Sequence, residues 1–583
     1  MSKFAAAACL SVLAVASAAW GKGSVPDTIY VNGKVVTVNP AFDIREAVAV
    51  SDGKILAVGT TAQIRAMAKG STTVIDLGGK TMLPGFNDNH IHLGEPLQPW
   101  KYSSMIGRVE PWLQGVDTIP ELLAAIKGQA ATLPKGTWII GEIPREEWPN
   151  GTLPNRWAFD AAAPDHPVAI ARGPHTLIVN SKALEAAKVT PETKPEGGEI
   201  VRDGKGEPTG IVLESARRVI WNAMPPGARE GAGDPEKRLA DWRELLHQLE
   251  SLGITSVNVA GVRPNELKLV DTLYARWGDE LPRMVVQLRV SPGYDQHDDV
   301  AEGVRVSIAE LDALGKDRSK VFKHPKLKLG AVKMSIDGGL SAPIFWSIKP
   351  YRGRPGFHGE QRIPDTAFYA VAKRAAELNW QVGIHTMGDA AVQMVANEME
   401  KVRAAVPPKS DPRDYVHHVA APLPEETMQK MARLKLNVAS QPGFLLSLGS
   451  YADEALEPEA AARQDPSRSL LDRGIRVSYG SDAGPYGPVA ALYAAVTRVG
   501  WNGKVHGPEE AVTVKEAITM HTLEPAWFTF DEKTKGSIEP GKVADLVVLS
   551  DDPLTIPPER LQDIKIERTV IGGRDVFVRD QKN

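Results

Sequence analysis

The 583 residues are several times the length of a small domain, so one large unit with accessory parts fits within them. A hydrophobic fraction of 43% with 24% charged residues is ordinary globular composition and excludes extended disorder. Lys plus Arg (68) nearly balances Asp plus Glu (72), and there is no long basic run or base-stacking platform, which argues against nucleic acid as a partner.

The chain opens with Lys3, an apolar stretch from Phe4 to Ala16, and the small-x-small triplet Ala16-Ser17-Ala18. This is the grammar of a secretory signal peptide over residues 1–18, too short to anchor in a bilayer, and it implies an exported protein, periplasmic or secreted. The only cysteine, Cys9, lies inside it, so the mature chain has no disulfide and no thiolate metal ligand. Cys9 as a lipid-attachment site is the minor alternative.

Residues 19–80 then read as short strands. Ile29 to Val38 is broken by Asn32-Gly33 and Ala47 to Val58 by Asp52-Gly53, dipeptides suited to two-residue hairpin turns. Residues 535–583 repeat the pattern, with Ala544 to Leu549 and a run from Arg568 to Val578 broken by Gly572-Gly573. The two ends are expected to pair into one composite β-sandwich.

Between them, residues 81–94 and 231–534 alternate strand and helix signals, which implies a parallel sheet. The candidate strands are Thr81–Phe86, Ile254–Val259, Met284–Val290, Leu327–Met334, Gln381–His385, Tyr415–Val419, Leu436–Gln441 and Arg476–Ser481, with amphipathic stretches such as Pro235–Leu252 between them. Eight such strands make an α/β fold of the (β/α)8 TIM-barrel type the expectation. Residues 95–230, rich in Pro, Gly and Trp, read as an irregular β-containing insertion after the first strand.

The strand ends carry the chemistry. His90 and His92, at i and i+2 of an extended segment, project to one side and can reach one ion. Lys333, His385, His418 and Asp482 follow at the ends of the fourth, fifth, sixth and eighth strands, where such barrels place their active sites. Each has a bland alternative: a salt-bridged or substrate-binding Lys333, a core His385 or His418, an Asp482 that caps a helix. His417 adjoins His418, and since neighbouring strand residues face opposite ways, one of the two is expected to point inward.

Pro84-Gly85-Phe86 leading to His90-x-His92, Val332-Lys333 before Asp337-Gly338, His385-Thr386-Met387-Gly388-Asp389-Ala390, Gly480-Ser481-Asp482-Ala483 and the Gly536 to Leu546 segment together resemble the amidohydrolase superfamily, in its family 3 branch. The resemblance covers essentially the whole mature chain. It implies a divalent-metal centre of two ions, zinc foremost with manganese, iron or cobalt as alternatives. His90 and His92 would hold one ion, His385 and His418 the other, with a carbamylated Lys333 as bridge. Asp482 would be both ligand and proton shuttle. The branch usually has Glu where His417 stands. His175 and Tyr486 are candidate substrate contacts, and Asp389 reads as a loop-orienting group. After Asp337-Gly338 the family often continues Gly-Ser-Arg, whereas this chain reads Gly339-Leu340-Ser341-Ala342-Pro343.

The reaction implied is hydrolysis of a small-molecule C–N bond, in an N-acyl, N-formyl or cyclic amide. Deaminase, esterase or isomerase chemistry on the same site, and a silent binding protein, are the alternatives. No H-E-x-x-H helix and no G-x-S-x-G elbow is present. Homo-oligomerisation is left open by the sequence.

Overall fold

The computed structural model describes residues 25–580 except 101–102, 107–110, 114, 117, 144–152, 174, 226–233, 342–343 and 483. Residues 1–18, read as a signal segment with Cys9, lie outside the described residues.

Eight parallel strands in chain order form the central sheet: Phe86–Ile91, Ile254–Val262, Arg283–Arg289, Leu327–Ser335, Val382–Thr386, Tyr415–His418, Asn437–Ser440 and Val477–Tyr479. We number them barrel strands 1 to 8. Strands 1 and 8 close the (β/α)8 barrel through a short seam, an isolated Ile91–Asp482 bridge and the Asp482 N–H donated to the His90 carbonyl at 2.6 Å. The strands read as continuous apolar runs because one face fills the lumen and the other meets helices. Helix Pro235–Ser251 supplies such a cover: Leu239, Trp242, Leu245, Leu246 and Leu249 recur at helical spacing and are buried, and Asp234 caps its start.

The first strand differs from expectation. Thr81–Phe86 is not one barrel strand, because Thr81–Pro84 belongs to a separate sheet, parallel to Lys34–Val36 and antiparallel to Leu546–Leu549. The barrel begins at Phe86. Gly85 is the junction, and a Cβ there would stand 2.3 Å from the Thr255 side chain.

Strands from both chain ends share that six-stranded sheet, which packs on a four-stranded sheet of residues 28–76 through Tyr30, Val48, Ile55, Met82, Leu546 and Val570. Asp52-Gly53 and Gly572-Gly573 make tight hairpins with positive φ at both positions. Asn32-Gly33 does not. Thr28–Val31 and Lys34–Val36 lie in different sheets, so this turn is a corner, and Gly33 is needed because a Cβ would meet Leu77 at 2.3 Å.

The insertion is more regular than its composition suggests. Ile139–Ile143, Val168–Arg172, Thr176–Val179, Pro208–Glu214 and Gly198–Arg202 form a five-stranded sheet in that spatial order, with helices such as Ile119–Thr132. Among the described residues no helix is long and apolar enough to cross a membrane.

Candidate active site

A cavity of about 500 Å³ opens at the C-terminal ends of the barrel strands, with the insertion supplying part of its wall, including His175, Glu214 and Trp221. His90, His92, Lys333, His385, His418 and Asp482 all line it.

The tightest convergence is at the seam. His90 Nε2 lies 3.4 Å from His92 Nε2, and Asp482 Oδ1 lies 3.2 Å from the His92 nitrogen and 3.8 Å from that of His90. Among the described residues these three are the one group of His, Cys, Asp or Glu whose ligand atoms all lie within 4.8 Å of one another. Ligands about 2.0–2.1 Å from a tetrahedral ion are about 3.3 Å apart, so the donor set fits a divalent metal. Asp482 reaches this place from just beyond strand 8 with φ +56, and Asp88 pins the seam by accepting the N–H groups of His90 and Ser481 at 3.1 and 3.0 Å. Burial drives the Asp88 carboxyl up to about 7 despite those bonds.

The second group is looser. The His385 and His418 rings lie edge to face at 4.5 Å, and His418 Nδ1 is 2.5 Å from Gln441 Oε1. His385 Nε2 is 3.4 Å from the Gly338 carbonyl and 3.6 Å from Asp337 Oδ1. Asp337, fully buried, staples the loops after strands 4 and 5 by accepting the N–H groups of Met387, Gly388 and Trp346 at 2.8–3.0 Å. Burial pushes its carboxyl up to about 7 against those three bonds. Asp389 accepts from Ile348 N and Ala390 N, a loop-ordering arrangement.

Lys333 lies between the groups, 4% exposed, and its Nζ has no hydrogen-bond partner among the described residues. Burial, then Arg289 and Arg362, hold its ammonium well below the ordinary lysine range against the pull of Asp482. Burial likewise pushes His90 and His385 far down, and His418 to about 3. The imidazoles are therefore neutral, with lone pairs free for a metal.

One expectation fails at strand 6. His385 and His417 are register partners, so ordinary alternation gives the inward position to His417, whose Nδ1 is 2.8 Å from His90 Nδ1. His418 also reaches the cavity because the strand ends there in left-handed backbone, φ +74 followed by +67 at Val419. Both histidines serve the site. Tyr486 is a second correction: its ring joins the apolar core between barrel and helices and does not line the cavity. His175 does line it, with Nδ1 2.8 Å from Glu214 Oε1, and its ring sits where a Cβ on Gly339 would come within 2.3 Å. The second glycine of Gly338-Gly339 is thus a seat for His175. Burial alone would raise Glu214, but His175 and Arg362 outweigh it and bring the carboxyl to about 2.

Sequence reasoning missed Gln287, Glu214, Arg263 and Arg289. The two arginines were legible as strand ends; Gln287 and Glu214 carry no local motif.

The amidohydrolase family model matches residues 73–577. The chain belongs to the amidohydrolase family. This amidohydrolase is 29% identical to the putative amidohydrolase YtcJ of Bacillus subtilis, over 94% of this chain and 99% of that protein. It is 30% identical to the N-substituted formamide deformylase of Arthrobacter pascens, over 94% and 97%. An uncharacterized metal-dependent hydrolase from Pyrococcus horikoshii superposes with a TM-score of 0.65 at 22% identity, covering 91% of this chain and 99% of that one. The amidohydrolase is accordingly an enzyme with the hydrolase barrel of its family.

Proposed function

We propose that this enzyme hydrolyses the C–N bond of an N-acyl, N-formyl or cyclic amide, with water as nucleophile. The observation that carries the reading is the convergence of His90 Nε2, His92 Nε2 and Asp482 Oδ1 at the floor of a substrate-sized cavity. The relative named as a formamide deformylase supports an N-formyl substrate.

His90, His92 and Asp482 would hold one divalent ion. His385 and His418 would hold a second once Lys333 supplies an anionic oxygen. The Lys333 amine, whose charged form burial disfavours and whose Nζ has no hydrogen-bond partner among the described residues, suits that role: its nitrogen adds to the carbon of CO2, a C=O electron pair moves to oxygen, and the nitrogen proton leaves to water. Bound metal supplies Lewis acidity to the carbonyl and lowers the pKa of water. Asp482 accepts the proton of the attacking water and returns it to the leaving nitrogen, and so needs to touch both. His175, fixed by Glu214, presents its ring edge to the substrate from the insertion side.

A second reading has one specific observation behind it. The seam triad alone is complete as a ligand set, which favours a single ion and an unmodified Lys333, as in deaminase, esterase or isomerase chemistry. Metal content of the replete protein separates the two. About two ions per chain, with Lys333→Ala losing one, supports the bridged centre, and about one ion that survives Lys333→Ala refutes it. We read residues 1–18 as an export signal, which N-terminal sequencing of the mature protein would test.

A further inference from the structure

The cavity has two unlike walls. Leu340, Met387, Phe444 and Leu448 form an apolar side, while Arg263 and Arg289 come from the ends of strands 2 and 3. Arg289 and Lys333 are register partners on adjacent strands, so the arginine stands beside the proposed metal centre. Its stem lies beside Gly261, where an added Cβ would stand 3.5 Å from the arginine Cδ. The pairing of the arginines is what calls for explanation. Arg362, also in the wall, is engaged by Glu214 at 2.9 Å. Among the described residues the Arg289 guanidinium has one hydrogen-bond or ion-pair partner, Asp295 at 3.3 Å, for its five N–H donors. The Arg263 guanidinium has no hydrogen bond or ion pair with any described residue, although Glu310 feels its charge. Arg263 is exposed and Arg289 half-buried in the cavity wall, and burial, Arg362 and Arg263 lower the charge affinity of Arg289 against the pull of Asp295. An anion from the substrate would relieve this.

We propose that Arg263 and Arg289 form a carboxylate subsite, so that the substrate is an amide whose amine side carries a free carboxylate, an N-acyl amino acid in class. The planar fork of each guanidinium matches a carboxylate. The acyl group then lies toward Phe444 and Leu448, with the scissile bond between them over Asp482. The arginine motif usual after Asp337-Gly338 in the branch is absent here, and strands 2 and 3 supply the cations instead. The proposal rests on the metal-hydrolase reading and is separable from it.

The test is binding of N-benzoylglycine against its neutral partner N-benzoylglycinamide by the metal-replete enzyme, with metal content measured in every sample. The expected result is a preference of about tenfold or more for the carboxylate, reduced to within about twofold in Arg263→Gln and Arg289→Gln. Equal affinity in the parent, no binding of either probe, or a preference that survives both substitutions because the carboxylate sits on the metal, overturns the subsite. A parent that takes up no metal instead overturns the hydrolase reading.

A different observation carries a second inference. Gln287 Oε1 is 3.0 Å from His417 Nε2, and His417 Nδ1 is 2.8 Å from His90 Nδ1. An amide oxygen can only accept, so the His417 proton is on Nε2 and its Nδ1 accepts in turn. His90 must then donate from Nδ1, which leaves the lone pair on Nε2, the atom that faces His92 and Asp482. We infer that Gln287 and His417 are positioning residues that set the metal-binding tautomer of His90 with neutral groups, where the branch usually uses Glu.

Ring-15N NMR of the metal-free protein should show His90 protonated on Nδ1. Gln287→Leu should mix the tautomers, and zinc affinity by chelator competition should fall about 10–100-fold in it and in His417→Phe, with recovery in His417→Gln. A parent His90 protonated on Nε2, or parent-like zinc affinity in folded His417→Phe, overturns the relay.

Discussion

The two halves of the active site are built on different principles. At the seam of strands 1 and 8, three side-chain atoms already stand at ligand-to-ligand spacing, and the Asp88 carboxylate, accepting backbone N–H groups, together with the Asp482 N–H bond to the His90 carbonyl locks the strands that carry them. Across strands 4 to 6, the side chains are held by the protein instead, His418 by Gln441 and His385 beside Asp337, around an amine with no hydrogen-bond partner among the described residues. The first half has the spacing of a chelate, and the second is a looser group around a buried amine. In the proposed centre the seam would then be filled first.

The largest effect should come from breaking the chelate. His90→Ala is expected to strip metal from both halves and abolish turnover, measured by metal content and hydrolysis of an N-acyl panel; retention of the parent metal content would contradict the ordering. Asp482→Asn should keep much of the metal and lower kcat by about 10²–10⁴-fold, because an amide cannot carry the proton. Lys333→Ala sharpens the contrast, with about one ion lost and the seam ion kept. Asp337→Asn should leave the seam untouched and cost about 1–3 kcal/mol of stability, since an amide satisfies three N–H groups poorly. The smallest effect concerns acid. Glu214 is depressed to about 2 from 4.5, so its contribution is present above pH 4.5 and is lost as pH falls toward 2. Glu214→Gln should flatten that part of a stability-against-pH curve, and an unchanged slope would show that its pairing adds nothing.

The barrel and its ligand-bearing strand ends were legible because both leave local signatures: apolar runs at regular intervals, and His, Lys or Asp where each run stops. Three things were not. The boundary between Thr81–Pro84 and Phe86–Ile91 is invisible in a continuous apolar segment, since only long-range pairing assigns each strand to its sheet. That both His417 and His418 reach the site, His418 as its motif implies, depends on a left-handed residue at the strand end, which period-2 reasoning cannot anticipate. Tyr486 follows Asp482 closely in sequence yet its ring faces the core, because proximity along the chain does not fix direction after a turn.

The sheet that joins the chain ends has a consequence for how the protein is made. Thr81–Pro84 leads directly into the strand that bears His90, and one of its neighbours, Leu546–Leu549, is synthesised more than four hundred residues later. During translation one edge of Thr81–Pro84, just ahead of the barrel, therefore stays open until residues 546–549 have been made. Its partner strand is made after Asp482, so a nascent chain arrested before residue 546 holds the barrel strands and Asp482 without the completed sheet beneath them.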